Sequence, residues 1–64
     1  MTSASQELSL PGLEQVYDRL AEAIDQAGPE KTELFLVKLA LLNAQSLGDA
    51  DRFAAHVRAA LADL

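Results

Sequence analysis

The chain has 64 residues and a mass of 6.9 kDa, with no cysteine, no tryptophan, and five basic against ten acidic side chains for a formal charge of −5. At this length it is one domain at most, in the range where a single core is marginal. The missing cysteines exclude a disulfide framework, a thiolate nucleophile and a Cys-based zinc site. Five scattered Lys and Arg argue against binding nucleic-acid phosphates or an anionic membrane surface.

Half of the residues are apolar, which argues against disorder. Alanine and leucine make up most of that half, and the aromatics are Tyr17, Phe35 and Phe53 alone. Ala and Leu lead the helix propensities, while the β-branched and aromatic residues that strands favour are scarce. The expected fold class is all-α.

Residues 1–9 are small and polar without periodicity and read as a flexible tail, with Leu8 and the following Leu10 as candidates to dock. Met1 to Glu7 lack the basic and apolar regions of a secretory signal, and the uncharged run Leu39 to Gly48 is about half a membrane span. A soluble, cytoplasmic chain is expected. The remainder, 10–64, reads as a single helical domain.

The first helix is expected over 11–27. Leu13, Val16, Tyr17, Leu20, Ala23, Ile24 and Ala27 repeat at the spacing of one amphipathic face. Ser9 and Pro11 stand where a cap and a first turn belong, and Gly28 with Pro29 ends the helix. The second helix is expected over 29–47, starting on Pro29 and stopping at Gly48. Its apolar residues surround nearly the whole cylinder, and Lys31, Lys38 and Gln45 form a narrow polar strip. The third is expected over 50–64, capped by Asp49, with Phe53, Val57, Ala60, Leu61 and Leu64 in one stripe. Arg52, His56, Arg58 and Asp63 lie mostly outside that stripe.

These helices make an antiparallel hairpin plus a third helix, a small three-helix bundle. The second helix does not fit such a bundle as a monomer. Leu36, Leu39, Ala40, Asn43 and Leu47 can serve a core within the chain. Leu34, Val37, Leu41 and Ala44 form a second stripe roughly 120° away at heptad-like spacing. Left uncovered, this would be a contiguous apolar patch of a kind small soluble proteins rarely expose. Completion by oligomerisation is expected, a two-fold homodimer first. The expected oligomer or partner interface is Leu34, Val37, Leu41 and Ala44, with Phe35 and Leu42.

Single residues carry less. Asn43 admits two readings: a polar position that sets register in an apolar contact, or an edge residue bonded to water. Glu14, Asp18 and Glu22 form an acidic ladder, which reads as a docking face for a basic partner, a weak divalent-cation site, or a solvated face beside Arg19. His56 has Arg52, Ala59 and Ala60 as helical neighbours, which supply neither a proton partner nor further metal ligands. Tyr17 suits a core edge or an interface rather than acid–base work. No phosphate loop, nucleophile elbow or paired-carboxylate motif occurs. A catalytic role, a cofactor, a bound metal and a small-molecule substrate are therefore not expected.

Two resemblances add to this reading. Ala44-Gln45-Ser46-Leu47-Gly48-Asp49-Ala50-Asp51-Arg52-Phe53-Ala54, followed by Ala59-Ala60-Leu61, is similar to the turn of a tetratricopeptide hairpin. That family stacks repeated units, and no second copy occurs here, so shared helical-hairpin physics accounts for the likeness. More broadly, Val16-Tyr17-Asp18-Arg19-Leu20-Ala21-Glu22-Ala23-Ile24, then Ala27-Gly28-Pro29, Leu34 to Leu42 and Leu47-Gly48-Asp49 resemble a family of small uncharacterised bacterial helical proteins, a domain of unknown function. This resemblance implies a helical fold, and it implies a setting beside flavin-dependent aromatic hydroxylases and similar catabolic enzymes. It assigns no catalytic residue. The expected function is a non-enzymatic interaction module that self-associates through the second helix. The alternative is an accessory or regulatory subunit packing on a larger enzyme.

Overall fold

A computed structural model describes residues 7–62 and Leu64. Most of the expected N-terminal tail, residues 1–6, lies outside the described residues, as does Asp63. Among those described, the fold is all-α, with three helices and no strand: α1 (Leu10–Ala27), α2 (Thr32–Leu47) and α3 (Ala50–Ala62). By its internal contacts the chain divides into two compact units, Met1–Thr32 and Glu33–Leu64, where the sequence reads as one domain over 10–64.

The first unit holds α1. Ser9 is the cap residue in extended backbone, and its Oγ accepts from the Gly12 amide at 3.1 Å. The Ser9 carbonyl then accepts the Leu13 amide at 2.9 Å as the first α-type bond. Pro11 fits the first turn because its missing N–H has no intrahelical partner there in any case. At the other end the Gly28 amide still bonds to the Ile24 carbonyl at 3.1 Å, but its φ of 82° leaves the helical region. A side chain at that φ is strained, so glycine ends the helix at low cost.

The second helix starts at Thr32 rather than at Pro29, and the Gly28 carbonyl explains the difference. It accepts the Lys31 amide at 3.1 Å, which closes a tight turn over Pro29 and Glu30. It also accepts the Thr32 hydroxyl at 2.8 Å. With that oxygen held by an i+3 amide and a side chain, regular α-helical bonding begins only afterwards.

The second unit is an αα-hairpin of α2 and α3. Its connection is minimal. The Gly48 amide donates to the Ala44 carbonyl at 2.9 Å, and Gly48 itself takes φ 72°. Asp49 follows as the cap of α3, with Oδ1 accepting the Arg52 amide at 3.1 Å and its carbonyl accepting the Phe53 amide at 3.0 Å. The regular part of α3 ends at Ala62, short of the expected Leu64, whose amide reaches back to the Leu61 carbonyl at 3.3 Å.

No described residue is buried. Along α1 the half-buried positions are Gly12 and, toward the C-terminus, Leu20, Ala23, Ile24 and Ala27. Along α3 Phe53 alone is half-buried.

Candidate protein interface on the second helix

The three helices differ in how their apolar residues are arranged. In α1 and α3 these gather on one side, whereas in α2 they are spread almost evenly around the axis. A one-sided helix needs one covering surface, and a helix that is apolar all round needs to be enclosed.

The exposure along α2 divides that cylinder in two. The half-buried residues Thr32, Phe35, Leu39, Ala40, Ala44 and Leu47 fall within one half-turn of arc at 100° per residue. Leu36 and Asn43 share this half and remain exposed. The other half carries Leu34 at 57 % exposure, Val37 at 49 %, Leu41 at 63 % and Leu42 at 69 %. Leu34, Val37 and Leu41 are consecutive at 3-4 spacing, so their side chains form one strip. Leu42 stands at its flank, beyond Lys38.

Of the six interface residues expected from sequence, four are thus strongly exposed. Ala44 and Phe35 are half-buried, Ala44 at the far end of the strip and Phe35 on the covered arc. Of the expected core stripe, Leu39, Ala40 and Leu47 are half-buried, while Leu36 and Asn43 are not. Asn43 is exposed on the single chain, so a role in setting register would require a partner over it.

Glu14, Asp18 and Glu22 are all exposed along α1. Among the described residues no three His, Cys, Asp or Glu side chains converge where a metal ion could sit. His56 is exposed on α3. A shallow, open depression on α1 is lined by Leu13, Glu14, Tyr17 and Asp18. No helix among the described residues is long and apolar enough to cross a membrane.

Exposed apolar residues also occur on the periodic face of α1. Leu13, Val16 and Tyr17, in its first half, are all exposed, Tyr17 at 72 %, and Leu8 and Leu10, the candidates to dock, are exposed as well. Periodicity identifies which residues share a face but is silent on how far along that face a cover extends. Comparison with family models, with curated proteins and with solved structures finds no match to this chain.

Proposed function

We propose that this chain is a non-enzymatic helical interaction module that associates with a second copy of itself through the exposed half of α2, completing a small helical bundle. The observation that carries the reading is the strip Leu34, Val37 and Leu41, each about half exposed or more on a helix with apolar residues around most of its circumference. Covering each leucine would contribute roughly 1–2 kcal/mol at these exposures. A two-fold contact counts every such residue twice. The acidic composition and the absence of cysteine suit a cytoplasmic setting. Membership of the small bacterial helical family that the chain resembles belongs to the same proposal.

Sedimentation equilibrium from micromolar to millimolar, with circular dichroism on the same samples, tests it. A helical species of twice the 6.9 kDa chain mass is expected. Leu41→Asp should weaken that association roughly hundredfold or more, since a carboxylate cannot be enclosed without a partner. A stable helical monomer at every concentration would sink the proposal. A poorly helical or aggregating monomer would mean that a larger protein covers α2, as for an accessory subunit.

A further inference from the structure

The proposed contact through α2 has two directions open to it, and the charges beside the strip discriminate between them. Leu34, Val37, Leu41 and Ala44 repeat at 3-4-3 spacing, which makes Leu34 and Leu41 the a positions of a heptad and Val37 and Ala44 the d positions. Glu33 then occupies a g position and Lys38 the next e position. Both side chains are exposed.

In a parallel pair of helices, the g residue of one heptad lies beside the e residue of the following heptad across the seam. Two copies of α2 side by side would therefore form two Glu33–Lys38 pairs. In an antiparallel pair the e flanks meet each other. Along the axis the strip's midpoint lies at the level of residue 39, so Lys38 would then stand against a second Lys38 near the middle of the contact, and Glu33 would gain no basic neighbour. The apolar seam is equally available either way. Pairs of this kind are individually weak, but attraction in one direction against repulsion in the other selects orientation.

We propose that a second copy of this chain docks parallel and in register along α2, with the Leu34, Val37, Leu41 and Ala44 strips forming one seam and Glu33 of each protomer paired with the partner's Lys38. This rests on the self-association proposed above.

The 64-residue chain has no cysteine of its own, so single substitutions in it report the geometry directly. In a parallel seam each residue faces its own copy. Leu34→Cys should then give a disulfide-linked dimer under an added oxidant, because such bonds need Cα atoms within about 7 Å. In an antiparallel seam Leu34 faces Ala44, and the two introduced thiols lie roughly 15 Å apart along the axis. Crosslinking only in a mixture of Leu34→Cys and Ala44→Cys would overturn the parallel arrangement. So would the absence of crosslinking in every sample while the parent chain sediments as a dimer; in both cases self-association itself stands. A parent chain that is monomeric throughout would overturn both proposals.

Charge reversal gives a second readout that leaves the apolar seam intact and so decides the matter if a cysteine variant loses its fold. Lys38→Glu should raise the dissociation constant on the order of fivefold, and adding Glu33→Lys to it should restore the parent value. An unchanged or lower dissociation constant for Lys38→Glu would overturn the parallel pairing, since an antiparallel seam would only exchange one like-charge pair for another.

Discussion

At the scale of single residues the caps determine where each helix begins and ends. Asp49 supplies the Oδ1 that receives the Arg52 amide, and Gly48 before it adopts a φ of 72° that other residues take only under strain. Replacing Asp49 by Ala removes one acceptor from the first turn of α3 and should cost about 1 kcal/mol, read as a lower urea midpoint at unchanged slope. Gly48→Ala should cost about 1 kcal/mol through the backbone alone, since nothing lies within 4 Å of where its Cβ would stand. Both effects matter where none of the described residues is buried. These caps were legible beforehand: Ser9, Gly28, Gly48 and Asp49 all take the end positions their residue types favour. The start of α2 was not. Pro29 is an equally good first helical residue by type, and only the capture of the Gly28 carbonyl by Lys31 and Thr32 moves regular bonding to Thr32.

At the scale of elements, α2 stands apart. Its composition signals a helix that must be enclosed, and its exposure shows one arc half-covered and the opposite arc open. If the strip is the contact, neighbouring leucines on the open arc are not equivalent. Leu41 lies within the strip and Leu42 lies beyond the polar side of Lys38. Leu41→Gln should therefore weaken association at least tenfold and Leu42→Gln much less, as measured by sedimentation of the two variants in parallel. Equal losses would move the contact toward Phe35 and Leu42. The spacing of α1 had the same clarity for face and less for extent. Leu13 and Tyr17 continue the stripe that contains Leu20 and Ile24, yet only the latter pair is half-buried.

At the scale of the whole molecule, the central fact is the absence of any buried residue among those described. Ordering a chain of this length costs on the order of 100 kcal/mol, and apolar area must offset that entropy. Association adds such area and ties stability to protein concentration. The thermal midpoint of the parent chain should rise as concentration increases from micromolar to millimolar, and Leu41→Asp should remove that dependence. A midpoint independent of concentration in the parent would mean that the folded unit is the single chain.

The sequence by itself determined the all-α class, the number of helices and which helix is apolar around most of its circumference. These follow from local propensity, capping chemistry and periodicity, all of which act within a few residues of the chain. Only the tertiary structure decided which positions on each apolar face are covered: Ile24 but not Leu13 on α1, and Leu39 and Ala40 but not Leu34 and Leu41 on α2. A repeat of 3.6 residues records the direction of a side chain without recording what it meets.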